Sequence, residues 1–385
     1  MKRFVLALWA ASSAAFVWSQ PVLEASTPSG EVSLLTERQK AYFVRPRAER
    51  VTLMTNSAAR AVTAKIGTTP EPVRFSWRWI EAPERPAGYF EVTVREAEGG
   101  RIVTSHKTTD EETARRRARL ENFEVACGYA YEIVAFDADG KRLAAAEGKF
   151  RTADEAPRFL HAGKLLSFRD LGGRKGLAGR RVKQGRVFRS AGLNDNAKVE
   201  DGKPVAPGRM RVSSETVEFI NRTFGIRTDL DLRNDQEVWG MTASPLGPSV
   251  VWAHLSADGY HGLQSASGKQ AFARHFRLFL DEKNYPILFH CSAGADRTGS
   301  LAFVLNGLLG VDEEELWKDW EINAFWDTNM DFRHQWRCDA LSKDFNALPG
   351  ASFADKCASY VKACGFTDDD ISRFRELMLS PRAAD

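Results

Sequence analysis

The stretch Pro286-Ile287-Leu288-Phe289-His290-Cys291-Ser292-Ala293-Gly294-Ala295-Asp296-Arg297-Thr298-Gly299-Ser300 decides the reading of this 385-residue chain. Its opening apolar run predicts a short buried strand. After Thr298 the residues Leu301, Ala302, Phe303, Val304, Leu305, Leu308 and Leu309 are apolar nearly all round, which predicts a buried helix. Between them lies a tight turn of small residues with a cysteine and, six positions later, an arginine. A strand, tight loop and helix N-terminus in succession aim backbone N–H groups at one point, which suits an anion. A thiol held there gives up its proton readily; such surroundings bring a cysteine from ~8.5 to roughly 3.5–7.5. Arg297 offers a planar fork for two phosphate oxygens, and Thr298 a hydroxyl hydrogen bond to sulfur. The chemistry implied is attack by Cys291 on a phosphate monoester. A buried free cysteine beside a surface arginine is the plainer reading, but none of the other four cysteines has an arginine at this spacing.

The pattern His290-Cys291-x-x-Gly294-x-x-Arg297-Thr298-Gly299 resembles the phosphate loop of cysteine-dependent protein tyrosine phosphatases. Asp296 directly before the arginine resembles the atypical bacterial branch, which includes secreted tyrosine and phosphoinositide phosphatases. The resemblance implies that His290, Ser292, Ala293, Gly294, Ala295, Asp296, Arg297 and Thr298 surround the phosphate and that Cys291 and Arg297 are catalytic. Two further segments resemble the same family: Phe168-Arg169-Asp170-Leu171-Gly172-Gly173 with Val187-Phe188-Arg189-Ser190, and the Asp231-Leu232-Arg233 corner followed by Glu237. The resemblance covers roughly residues 160–380.

Working outward, the length allows two domains. Hydrophobic content of 43% and charged content of 27% are ordinary for a globular protein, and a net charge of +3 calls for neither nucleic acid nor a membrane surface. Lys2 and Arg3 followed by an apolar run predict a secretory signal over residues 1–20, cut after Ala15 or Ser19; an uncleaved anchor is the alternative. The expected location is therefore secreted or periplasmic, with no stable membrane insertion once the signal is removed. Five cysteines leave an odd count. Cys357 and Cys364 fall on one helix stripe with Tyr360 and Val361, too far apart to bond each other. Cys338 is left free or paired with one of them.

Residues 21–155 are expected to form an N-terminal β-sandwich with an extension, starting from a first strand around 32–42. Alternating patterns at 75–79, 89–94 and 129–135, and the Asp139-Gly140 turn, support this. Residues 131–152 resemble the last strands of fibronectin type III modules. The run Arg115-Arg116-Arg117-Ala118-Arg119 either binds a polyanion or is a solvated loop.

Residues 156–385 are expected to form an α/β domain with a mostly parallel sheet flanked by helices, its site at the carboxyl ends of the strands. Helices are predicted over 213–224, 270–280 and 367–379, strands over 226–233 and 252–255. A capping box, Asp312 with Glu315, opens a helix bearing Leu316, Trp317 and Trp320. The aromatic segment 325–336 is either a cover over the site or an irregular helical connection. The seven histidines show no metal-ligand spacing, so neither metal nor cofactor is expected.

These readings point to an exported phosphomonoesterase acting on a phosphorylated protein or small phosphomonoester through a phosphocysteine, phosphotyrosine first. A phosphoinositide or inositol polyphosphate substrate is the alternative, weakened by Ala295 where lipid-active relatives usually carry lysine. A non-catalytic phosphate-binding module and a rhodanese-like sulfur carrier are the rivals. The acid that protonates the leaving oxygen is Asp231, which ends a buried strand, or Asp296 inside the loop, or Asp258 on a turn. Arg169, Asp170 and Arg189 are expected to brace the loop.

Overall fold

The computed structural model describes residues 20–55, 62–325 and 333–381. The predicted signal lies almost wholly outside them, as do residues 326–332 of the aromatic segment and the side chain of Cys338. The chain forms two compact units. The first draws on Met1–Gly30, Arg74–Arg119 and Gly128–Phe150, the second on Glu31–Val73, Leu120–Cys127 and Arg151–Asp385.

In chain order, β1 (Val22–Thr27) and β2 (Gly30–Val32) precede α1 (Glu37–Phe43) and α2 (Arg47–Thr55). Then follow β3 (Val73–Glu81), β4 (Tyr89–Glu96), β5 (Ile102–Lys107), α3 (Asp110–Arg115), β6 (Arg117–Leu120), β7 (Gly128–Phe136) and β8 (Arg142–Thr152). In the first unit, β1, β3 and β6 form one sheet, and β5, β4, β7 and β8 neighbour one another in a second. Both are built as the alternation predicts: along β7 every second residue, Tyr129, Tyr131, Ile133 and Ala135, is buried. Rings from the two sheets meet, Trp77 on Phe90 at 4.9 Å between centroids and Phe75 on Tyr131 at 5.1 Å. The arginine run divides between the end of α3 and β6, with Arg116 left-handed at φ 51° and Ala118 buried.

From Glu37 onward the expected strand over 32–42 is instead α1. Thr36 caps α1 in a capping box with Gln39, a signal present in the sequence as Thr36-Glu37-Arg38-Gln39. Residues 31–73, expected to belong to the sandwich, cluster with the second unit. Tyr42 and Phe43 pack with Phe159, Ile322 and Phe325. Arg50, 1% exposed, reaches Glu321 at 2.7 Å and Glu314 at 2.6 Å. Losing either end of such a buried pair leaves an uncompensated charge.

The second unit continues with β9 (Arg169–Asp170), β10 (Val187–Ser190), the hairpin β11 (Lys198–Glu200) and β12 (Lys203–Ala206), α4 (Ser214–Phe224), β13 (Thr228–Asp231) and β14 (Val251–His254). It ends with α5 (Ala266–Phe279), β15 (Ile287–His290), α6 (Asp296–Leu308), α7 (Glu313–Glu321), α8 (Arg333–Asn346), α9 (Phe353–Ala363) and α10 (Asp368–Met378). Its sheet runs β14-β13-β15-β10-β9, parallel among the first four strands and antiparallel at β9. All four residues of β10, β13 and β15 are buried, as central parallel strands require. α6 is buried on every side, with Leu301, Phe303, Val304, Leu305 and Leu308 in the main core. Each such side chain contributes ~1.5–3 kcal/mol. Caps punctuate the unit where the sequence places them: Ser213 before α4, left-handed Gly225 after it, Thr367 before α10. At α7, Asp312 caps alone, accepting from the Glu314 N–H, because Glu315 turns to Lys318 at 2.8 Å.

Candidate active site

The site forms where β15 ends and α6 begins. α6 has no side-chain cap, whereas α4, α5, α9 and α10 each have a serine or threonine oxygen on their first-turn N–H groups. The open end of α6 therefore keeps its donors for whatever sits in the loop. Cys291 sits there, 2% exposed. Burial alone raises its thiol; the Arg297 charge, the Thr298 hydroxyl and N–H, and the Gly294 N–H outweigh it and hold the thiol below its ordinary range. Gly294 makes the turn at φ +68°, and a Cβ there would strike the Ser190 carbonyl of β10. At Gly299 a Cβ would come within 2.8 Å of the Trp320 ring, so glycine lets α6 and α7 close on each other.

Three polar clusters hold the loop. His290 points its Nε2 at Asp229 Oδ1, 2.9 Å away, and has Asp231 Oδ1 at 3.9 Å from Nδ1, all fully buried. Burial disfavours the imidazolium, yet Asp231 and then Asp229 raise its pKa to about 9. Because that value exceeds the unfolded one near ~6.5, the stability it contributes is complete below the unfolded value and disappears as pH rises through about 9. The urea midpoint is therefore expected to fall between these limits, and to fall less in His290→Gln.

The second cluster converges on Asp319 of α7. It accepts from Arg169 Nε at 2.9 Å, from Arg174 Nη2 at 3.3 Å and from Arg189 Nη1. Arg189 also donates from Nη2 to the Gly294 carbonyl at 2.7 Å, so one guanidinium ties the loop to α7. Burial opposes ionisation of Asp319, but Arg169, Arg189 and Arg174 together hold it well below the usual carboxylate range. Arg169 and Arg189 stand where bracing residues are expected, and Asp170 pairs with Arg158 at 2.7 Å.

Third, Glu237 clasps the Arg297 fork, Oε2 to Nη1 at 2.5 Å and Oε1 to Nη2 at 2.9 Å, and accepts from Ser292 Oγ at 2.7 Å. Burial raises Glu237, and the hydrogen bonds from Arg297, Asn234 and Ser292 lower it to about 2.

The three acid candidates have different surroundings. Asp231, the first candidate, has both carboxyl oxygens on Arg233. Arg233 takes Oδ1 at 2.9 Å through Nε and Oδ2 at 2.6 Å through Nη2. Burial raises Asp231, while His290 and Arg233 lower it to about 2. Asp296, the first residue of α6 and half-buried, accepts from the Tyr260 hydroxyl. Asp258 is exposed and accepts from Ser267 Oγ at 3.4 Å.

Sequence patterning does not single out Asp229, Arg174, Asp319 or Tyr260 as site residues, and it places Glu237 in the Asp231 corner without a role. Asp319 does carry a signal: it stands three positions after Leu316 on the buried side of α7, a carboxylate where an apolar residue belongs. Cys357 and Cys364 are free thiols. Among the described residues no three His, Cys, Asp or Glu side chains are placed to hold a metal ion, and no helix is long and apolar enough to cross a membrane.

A family model described as tyrosine phosphatase family matches residues 160–380. The chain is also 30% identical over 177 residues to a Cupriavidus necator protein that carries the provisional name of tyrosine-protein phosphatase. That match spans 40% of this chain and 58% of the relative. Among solved structures, the core catalytic domain of the PP-IP phosphatase SIW14 from S. cerevisiae, in complex with citrate, is similar at 14% identity with a TM-score of 0.25, over 42% of this chain and 83% of that one. The fibronectin(III)-like modules of Clostridium thermocellum CbhA are similar at 10% identity with a TM-score of 0.18, over 34% of this chain and 98% of that one. Likenesses at these scores decide nothing about the fold. More than half of the chain, from the Arg169 segment through the Cys291 loop to α10, lies in the span matched by the family model, and the chain belongs to the tyrosine phosphatase family.

Proposed function

We propose that this chain hydrolyses phosphotyrosine in protein substrates through a phosphocysteine. One observation carries the reading: the Cys291 thiol is buried where Arg297, the Thr298 hydroxyl and two backbone N–H groups all favour its thiolate. The thiolate attacks phosphorus, forming the S–P bond as the ester P–O bond breaks. Loop amides and Arg297 hold the non-bridging oxygens, with Glu237 behind the guanidinium to keep its fork aligned. Asp296 gives its proton to the departing oxygen. Its carboxylate then takes a proton from water, which attacks phosphorus, releases phosphate and frees the thiolate. Asp231 is unsuited to this role because Arg233 occupies both its oxygens.

Asp296→Asn is expected to slow esters of poorly acidic alcohols by ~10²–10⁴. It should slow p-nitrophenyl phosphate far less, since that group leaves without a proton. Asp231→Asn is expected to affect both esters alike. The reverse pattern in steady-state rates returns the acid role to Asp231. Activity is expected without added metal and in the presence of chelator. A panel of phosphotyrosine peptide, phosphoserine peptide, phosphoinositide and inositol hexakisphosphate tests the substrate; preference for either inositol compound overturns the phosphotyrosine reading. Residues 1–20 as an export signal, a secreted or periplasmic location, and the two N-terminal sheets as a fibronectin III-like sandwich complete the proposal. The rings shared by the two sheets support the sandwich.

A further inference from the structure

Beside the loop stands a hairpin that the chemistry above leaves unused. Among the described residues, β11 and β12 pair with each other and with no other strand, which leaves their outer edges open. Val199 is 47% exposed and Val205 45%, and close to the hairpin Met210 is 52% and Trp239 45% exposed. Isolated exposed apolar residues need no explanation, but four on and next to one hairpin do.

Neighbours of these residues are bonded to the loop. Asn196, just before β11, accepts from Ser292 Oγ at 2.9 Å and donates to Glu237 at 3.1 Å. Arg211, following Met210, donates to the Ser292 carbonyl at 2.8 Å. The Ala197 N–H reaches the Glu237 carbonyl at 2.8 Å. Next to Trp239, a Cβ on Gly240 would lie 3.2 Å from Pro207, so that turn abuts the base of the hairpin. The base of the hairpin is therefore bonded directly to the residues that frame the loop.

We propose that the β11–β12 hairpin, with Met210 and Trp239, docks the extended polypeptide that flanks phosphotyrosine in the substrate. This rests on the phosphotyrosine reading and narrows it. An open strand edge supplies main-chain hydrogen bonds to an extended chain, and the apolar side chains select its residues. A soluble inositol polyphosphate has no apolar surface to cover the valines and Trp239. A bilayer is disfavoured by the hairpin tip, where Glu200 and Asp201 precede Gly202 in a turn with φ 49° and 74°. A tip that entered lipid would present apolar residues there, whereas this one carries Glu200, Asp201 and Lys203, with Glu200 paired to Lys198 at 2.6 Å.

The test compares full-length wild type with Val199→Asp and Trp239→Asp, both exposed positions that should leave folding intact. Three substrates are used: p-nitrophenyl phosphate, a phosphotyrosine peptide of about twelve residues with valine and leucine flanks, and the same peptide with glycine and serine flanks. For the apolar peptide, kcat/KM is expected to drop about tenfold in each variant, mainly through KM. The glycine–serine peptide and p-nitrophenyl phosphate should change less than about twofold. Equal kcat/KM on the two peptides in wild type, or variants without effect on the apolar one, overturns the docking surface. So do variants that lose binding to phosphoinositide vesicles while keeping peptide kinetics. Absence of turnover on all three substrates in wild type instead overturns the phosphatase reading.

Discussion

Cys291→Ser is expected to lower the turnover of p-nitrophenyl phosphate by at least about 10⁴-fold, since removing a covalent nucleophile costs on the order of 10⁶ in comparable systems. A hydroxyl ionises far less readily than a thiol, and the surroundings that lower the Cys291 pKa are too weak to bridge that gap. The fold should survive. Serine fills nearly the same space, and the loop rests on Arg189, Gly294 and the Glu237–Arg297 pair rather than on sulfur. Vanadate binding should persist, because the N–H groups at the start of α6 and the Arg297 fork remain. Steady-state rates, circular dichroism and vanadate titration together check this. Turnover within tenfold of wild type would end the covalent mechanism. Loss of both turnover and fold would make Cys291 a packing residue.

Asp319→Asn is expected to be the most destabilising single change at the site, by ~3–5 kcal/mol. It leaves Arg169, Arg174 and Arg189, none more than 1% exposed, around a neutral amide. Activity should fall in the folded fraction too, because Arg189 then loses the partner that aims it at the Gly294 carbonyl. The effect has a pH signature. The folded-state pKa of Asp319 lies below the unfolded value near ~3.9, so its contribution is present above that value and lost as pH falls through the folded one. Wild type should therefore lose stability on acidification more steeply than the variant, down to the pH where its carboxyl is as neutral as the amide. Urea unfolding across that range measures it. Parallel acid profiles would show that the three arginines find their counter-charge elsewhere.

Much of the second unit is legible in the order of its residues. The strand, loop and helix around Cys291 follow from apolar patterning within one short contiguous run, and Ser213, Gly225 and Thr367 mark helix ends through bonds only a few positions long. The capping box at Thr36 is equally local, and it prevails over the apolar scatter that suggests a strand at 32–42. By contrast, Asp319 takes its arginines from 150, 145 and 130 positions away, and Glu237 meets Arg297 across 60. An ion pair has no periodicity along the chain, and a carboxylate in isolation does not reveal which cation it will meet. The buried cysteine, its tight turn and the helix caps are thus written in the chain, where the physics acts between near neighbours. Only folding in three dimensions spends Asp231 on Arg233, brings Asp296 to Tyr260 and joins residues 31–73 to the second unit, because burial sets both the partner and the cost of lacking one.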